Sequence, residues 1–303
     1  MKFLNTVVKP LKFSLENSNM TIPNLKAIIK TALKEDIGVE DITSKALIDP
    51  NIKVQADIII KSKGIACGVP VVREVFKAIN PRLTFRPLLN DGAIINKPTI
   101  IAHVYGRAQD ILTAERVALN FLSLLSGIAT TTYAFVKAIK PYRANILDTR
   151  KTIPLLRSLQ RYAVKCGKGV NHRFDLSSMA LIKDNHRILT TKENSLIDAV
   201  NSIKKKYPSK KVVLEVDDLN EYAVALQSKA DIILLDNMPL ADLRKAVYLR
   251  KASKSKVLLE VSGGVNLKNV KQIAATGVER ISIGALTHHL NALDVSLDIV
   301  YRA

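Results

Sequence analysis

The sequence predicts an α/β protein in two parts, a mixed α+β region followed by a barrel of βα units. Three observations carry that prediction. From Ile146 onward, short apolar runs rich in β-branched residues alternate with amphipathic helical stretches, the rhythm of a parallel sheet. Each run ends in polar residues or glycine, as strands do when their C-terminal ends line one functional face. At 303 residues the chain exceeds one average domain.

Taken in order, residues 1–20 lack clear periodicity and read as an extension. A helical pattern runs from Asn24 to Leu33, and VQADIIIK (Val54–Lys61) is β-rich. Gly64 and Gly68 interrupt the chain before a second helical segment, Val69–Ile79. An Asp91-Gly92 turn and a strand at Thr99–Val104 complete a region that fades near Ala108. The first domain is assigned to residues 21–115 and the barrel to 116–288. A strand at about 289–303 joins the first domain, because Leu293–Ile299 alternates strictly between apolar and polar residues.

The uncharged run Val117–Val136 is long enough to cross a bilayer. It carries Asn120, Ser123, Ser126, Gly127, three threonines and Tyr133, which predicts a buried helix instead. The later β runs end at Asp148, Asp184, Asp217, Asn237, Gly264 and Ala285. Helical stretches lie between them at 155–164, 196–206, 219–227, 240–249 and 267–275. No Rossmann glycine fingerprint accompanies these units, so a closed or nearly closed barrel is expected over an open doubly wound sheet.

Lys and Arg number 46 against 27 acids, a net charge of +19 that favours polyanionic partners. Between Arg150 and Arg187 lie nine Lys/Arg and only two acids, Asp175 and Asp184. Lys204–Lys206 and Lys210-Lys211 flank Pro208 and read as a solvated surface. Two cysteines, Cys67 and Cys166, are too few for a disulfide framework and lack metal-ligand spacing, which suits a reducing compartment. The N-terminus has no apolar core of signal-peptide length, so a cytoplasmic protein is expected.

Strand-end residues converge in such a barrel, which selects the candidate site. Arg116, Thr149, Arg150, Lys151, His172, Arg173 and Lys183 supply donors and cations, a mixture suited to carboxylate and phosphate together. Ser262-Gly263-Gly264, followed by a helix, resembles a backbone phosphate cradle, and Gly284 after the next strand would complete it; a plain turn is the alternative reading of SGG. Glu215 and Asp236 could bind Mg²⁺, hold ribose hydroxyls or stabilise positive charge. No Ser-His-Asp arrangement or HExxH motif occurs, so the site reads as electrostatic rather than covalent.

In combination the segments LTAERVALNFLSLLSGIAT, LDTRKT, YAVKCGKGVNHR, LIKDNH, LEVDDL, IILLDNM and VSGGV resemble the quinolinate phosphoribosyltransferase family. The similarity runs from about Leu33 to His288. It implies an N-terminal α/β sandwich and a seven-stranded, open TIM-like α/β barrel. It also implies Mg²⁺-dependent transfer from phosphoribosyl pyrophosphate to quinolinate, giving nicotinate mononucleotide, pyrophosphate and CO₂ in NAD biosynthesis. A homodimer or higher homo-oligomer with shared sites is implied, with no nucleic acid or membrane partner.

By that resemblance Arg116 reaches a neighbouring subunit's site, and Arg150, His172 and Arg173 hold quinolinate with Thr149. Lys151 and Lys183 address pyrophosphate and the substrate acid. Glu215 and Asp236 face ribose and metal. Ser262, Gly263, Gly264, Ile283, Gly284, Ala285 and His288 bind the 5′-phosphate. Lys151, Lys183, Glu215 and Asp236 form the catalytic set.

The chain departs from the family pattern at several places. Ile153 and Leu155 replace Thr and Gly, Lys168 replaces a loop Gly, Asp175 and Ser178 replace Gly and Asp, and Asp218 stands where Asn is common. Two other readings are a relative of the same fold with another acceptor, such as a nicotinate phosphoribosyltransferase, and a nucleic-acid-binding protein. Arg116, Arg150 and His172-Arg173 together favour a dicarboxylate. No RRM, helix-turn-helix or zinc-finger signature supports the second.

Overall fold

The computed structural model describes residues 22–189, 196–289 and 291–302, so the predicted extension at 1–20 lies outside the described residues. The N-terminal region comprises α1 (Leu25–Ile37), α2 (Ile42–Leu47), β1 (Lys53–Ile60), β2 (Gly64–Ile65) and α3 (Val69–Ile79). It continues through β3 (Thr84–Pro87), β4 (Ile94–Ile95), β5 (Thr99–Arg107) and α4 (Ala108–Ala138). Two aspartates fix helix starts here. Asp41 accepts the amide of Ser44 to cap α2. Asp91, from the Asp-Gly turn, accepts the amides of Gly68 and Val69 at the start of α3.

The remaining elements alternate as the sequence predicts. They are β6 (Asn145–Leu147), α5 (Arg157–Cys166), β7 (Ala180–Ile182), α6 (Asp184–Leu189), α7 (Leu196–Lys206), β8 (Val212–Val216) and α8 (Leu219–Ala225). Then come β9 (Ile232–Asp236), α9 (Leu240–Ala252), β10 (Leu258–Ser262), α10 (Val270–Ala274), β11 (Arg280–Ser282), α11 (Ala285–His288) and β12 (Val295–Arg302).

One sheet, ordered β12-β1-β5-β3, is antiparallel, and β12 returns from the chain's end to pair with β1. Alternation along β1 turns Ala56, Ile58 and Ile60 into the core. The helix α4 is the long uncharged segment of the sequence. It packs against α3, β5 and α5, and buries Leu122, Leu125, Ile128 and Ala129. It crosses the expected boundary at 115/116 without a break.

The second sheet is parallel and ordered β6-β11-β10-β9-β8-β7. From β7 to β11 each strand lies beside the next, and β6 closes onto β11. The curve is therefore a barrel with one opening, between β6 and β7. Where seven strands are implied, six form among the described residues, and Val170 makes a single parallel bridge to Leu147 beside the opening. Gly167, Gly169 and the polar residues after Val170 supply no β-branched run to extend that bridge into a strand.

Register divides the barrel interior into layers. Paired residues of parallel strands share a face, so Val213 and Ile232 sit together with Leu258 at the bottom. The next layer holds Glu215, Leu234, Glu260 and Arg280; the layer above it holds Asp236, Ser262, Ser282 and Leu147. Apolar residues plug the base, and charged and polar residues face the mouth. That gradient positions the site.

Candidate active site

At the mouth, Lys183 Nζ lies 3.2 Å from Glu215 Oε2. Glu215 is buried, and burial raises its carboxyl pKa; Lys183 opposes the shift, while Asp236 and Asp184 add to it. Asp236 stands one strand over. Its Oδ2 accepts from Asn237 Nδ2 at 2.7 Å, and its Oδ1 accepts the Ser262 hydroxyl. Two carboxylates from adjacent strands thus meet at one rim.

The opening between β6 and β7 is occupied by the arginine-rich loop. Asp148, fully buried, accepts the His172 amide at 2.7 Å and Asn171 Nδ2 at 2.6 Å, and lies 3.4 Å from Arg161. Burial raises its pKa against the pull of Arg161 and those donors. His172 Nδ1 accepts the Arg173 amide at 2.6 Å, and Nε2 lies 3.0 Å from Glu260 Oε1. Both ring nitrogens of His172, expected to bind a carboxylate directly, are therefore engaged. Arg173 donates to the Met179 carbonyl. Its pKa is lowered by burial and by the neighbouring Arg150 guanidinium, whose buried Nε has no hydrogen-bond partner among the described residues. Two adjacent arginines, one incompletely satisfied, are suited to binding an anion.

On the other side of the mouth lie the glycine turns. Gly263 (φ 86°) and Gly264 (φ 59°) both occupy the left-handed region. A Cβ on Gly263 would sit 2.0 Å from Asn237 Oδ1; one on Gly264 would meet nothing within 4 Å. Gly284, at the start of α11, lies against both His288 and Lys151, since a Cβ there would approach His288 Nε2 at 3.0 Å and Lys151 Cδ at 3.1 Å. The Lys151 amide donates to Thr149 Oγ1, and the Lys151 carbonyl accepts the Thr287 hydroxyl. Buried Gln160 ties the same two loops, accepting the Ile153 amide and donating to the Thr287 carbonyl. His288 has its pKa lowered by burial, His289 and Lys151.

Ile283 and Ala285 flank Gly284 on this loop. Arg116 is placed elsewhere: its side chain is 63% exposed on α4, and its ion pair is with the adjacent Glu115.

The substituted loop positions keep the expected backbone. Leu155 and Lys168, where the family pattern has glycine, hold φ 67° and 66°. Lys168 Nζ lies 5.7 Å from the Tyr133 ring centre. Asp175 accepts the amides of Ser177 and Ser178, closing a local turn. The roles of Glu260 and Gln160 escape the sequence. Glu260 accepts from Arg280 Nε at 2.6 Å and from the Ser282 hydroxyl, besides His172. Burial would raise its carboxyl, but the hydrogen bonds from His172 and Ser282 and the charge of Arg280 outweigh burial and hold it below the ordinary carboxylate range.

Fold and geometry together define an α/β barrel whose strand ends gather cations and carboxylates suited to a multiply anionic small molecule. Family models for quinolinate phosphoribosyl transferase match in sequence, the N-terminal domain at residues 41–126 and the C-terminal domain at 128–298. The chain belongs to the quinolinate phosphoribosyl transferase family.

The carboxylating nicotinate-nucleotide pyrophosphorylase of Mycobacterium leprae is 40% identical over 276 residues, which cover 89% of this chain and 95% of that one. The structure of the nicotinate-nucleotide pyrophosphorylase from Francisella tularensis superposes with a TM-score of 0.87 at 38% identity, covering 92% and 97% of the two chains. Human nicotinic acid phosphoribosyltransferase, at a TM-score of 0.56 and 12% identity over 91% of this chain and 74% of that one, shares the fold alone.

Proposed function

We infer that the chain catalyses phosphoribosyl transfer from phosphoribosyl pyrophosphate to quinolinate, yielding nicotinate mononucleotide, pyrophosphate and CO₂ in NAD biosynthesis. Relatives about two-fifths identical over nine-tenths of the chain are carboxylating nicotinate-nucleotide pyrophosphorylases, which supports this reading. The observation that carries it furthest is the presence among the strand-end residues of an Arg150–Arg173 pair and a Glu215–Asp236 pair, cations suited to a dicarboxylate and anions suited to a ribosyl cation.

In this reading Arg150 and Arg173 fix the quinolinate carboxylates, with Thr149 beside them. The pyridine nitrogen then meets the ribose carbon as pyrophosphate departs. Positive charge building on the ribose is stabilised by Glu215 and Asp236, and departing negative charge by Lys151 and Lys183. The new pyridinium accepts the electron pair when the adjacent carboxylate leaves as CO₂, and a solvent proton replaces it. Ser262–Gly264 and Ile283–Ala285 with His288 hold the 5′-phosphate.

Glu215 and Asp236 also fit a hard divalent cation. Both offer oxygens at the mouth, and burial, with Asp236 and Asp184 adding to it, raises the Glu215 pKa, a cost of holding charge there that a bound cation would offset. When bound, Mg²⁺ supplies neutralising charge for pyrophosphate. Exposed Arg116 supports a homodimer in which it completes the neighbouring site. A cytoplasmic location is in keeping with the free thiols Cys67 and Cys166.

The test is release of pyrophosphate and CO₂ from quinolinate, phosphoribosyl pyrophosphate and Mg²⁺ by purified protein. Turnover of nicotinate but not quinolinate would overturn the assignment.

A further inference from the structure

We propose that Glu260 is a positioning residue of the acceptor site: it holds the His172 imidazole in one tautomer and orientation, and through it the turn presenting Arg173. This rests on the acceptor reading above.

The donor inventory fixes the tautomer. Nδ1 of His172 accepts the Arg173 amide at 2.6 Å, so it carries no proton, and Nε2 bears the hydrogen directed at Glu260, 3.0 Å away. The imidazole side chain is 7% exposed and Glu260 1% exposed, so water does not compete for this contact. From the other side Asp148 accepts the His172 amide. Two buried carboxylates therefore pin one residue, Asp148 by its backbone and Glu260 by its ring.

That double anchor answers a specific weakness. His172 follows the barrel's opening, where among the described residues the sheet offers the isolated Leu147–Val170 bridge in place of a continuous ladder. Glu260, by contrast, sits on β10 inside a closed run of strands and is itself held by Arg280 Nε and the Ser282 hydroxyl of β11. The loop borrows rigidity from the barrel strands through a side chain. Rigidity matters because the Arg150 and Arg173 guanidinia repel, and only a fixed turn keeps both aimed at one ligand. A carboxylate is needed here. His172 Nε2, Arg280 Nε and Ser282 Oγ all donate, and an amide would turn one N–H toward a donor.

The test is Glu260→Gln, with Glu260→Asp keeping the charge but shortening the reach. For Glu260→Gln, KM for quinolinate is expected to rise by about tenfold or more. KM for phosphoribosyl pyrophosphate should stay within about twofold and kcat should change less than KM for quinolinate; Glu260→Asp should lie between. Imidazole ¹⁵N spectra should show His172 as the neutral Nε2–H form in the parent protein and lose that single signature in Glu260→Gln. Equal rises in both KM values, an unchanged KM for quinolinate in a folded variant, or an unaltered His172 spectrum would overturn the proposal. The spectra need no turnover, so a parent protein inactive on quinolinate would sink the acceptor reading while the positioning role stayed measurable.

Discussion

Lys183 Nζ stands 3.2 Å from Glu215 Oε2, a half-exposed ammonium on a buried carboxylate. Burial outweighs that ammonium, so the Glu215 pKa lies above its ordinary value. A carboxyl whose folded pKa exceeds the unfolded one costs stability when charged, and the cost disappears as pH falls below the unfolded value of about 4.3. Glu215→Gln should therefore melt higher than the parent at pH 7, with the advantage shrinking toward pH 4, while turnover drops by about 100-fold or more. Thermal melts across pH beside an activity assay check this; identical melting at pH 7 would count against it.

Gly263 and Gly264 should respond differently to a methyl group. Gly263→Ala drives its Cβ into Asn237, which holds Asp236, so about 1–3 kcal/mol of stability and a higher KM for phosphoribosyl pyrophosphate are expected to be lost and gained respectively. Gly264→Ala meets open space and should cost only the left-handed backbone, about 1 kcal/mol. Denaturant titrations of both variants separate the two effects.

Leu155 and Lys168 hold left-handed backbone without being glycine. Leu155→Gly and Lys168→Gly should each relieve that strain, by up to about 1 kcal/mol after the added unfolded-state freedom of glycine is counted. Lys168→Gly also gives up the contact with Tyr133, so its gain should be the smaller. A fall in stability for Leu155→Gly would show that the strain is absent.

Arg116→Ala and Lys151→Ala, each inactive alone, should recover about a quarter of parental activity on mixing if subunits exchange in a dimer, because half the mixed dimers' sites are intact. No recovery with subunit exchange demonstrated by mass spectrometry would rule out the shared site.

Cys67 is fully buried, and burial pushes its thiol well above the ordinary range; Asp91 and Cys166 lie close enough that all three ligand atoms fall within 4.8 Å of one another. Iodoacetamide should modify Cys67 only on unfolding. Peptide mapping after labelling of the native protein would contradict this if Cys67 reacted promptly.

Much of this was legible in the chain because periodicity and strand-end polarity are local signals. The helix at 69–79 falls where the pattern sets it, and the strands expected to end at Asn237 and Gly264 end one and two residues earlier, at Asp236 and Ser262. The helix expected from 155 begins at Arg157, since Leu155 adopts positive φ, a conformation invisible in the identity of a leucine. Glu215 and Glu260 occupy the same place in near-identical runs, VVLEV and VLLEV. Both point inward by alternation, and they differ only in what the neighbouring strand supplies: Lys183 and Asp236 beside one, Arg280 and Ser282 beside the other. That difference is non-local. The closing of His172 upon Glu260 likewise depends on a loop folding across the barrel's opening, which no spacing encodes.

The helix α4 belongs to both halves of the molecule, with β5 running straight into it and α5 lying against it further on. Its 31 residues form a rod about 46 Å long. A rod shared in this way leaves the two halves nothing to pivot on. Substrate entry and product exit then fall to short loops at the barrel rim, so turnover should track loop composition rather than any swinging of one half against the other.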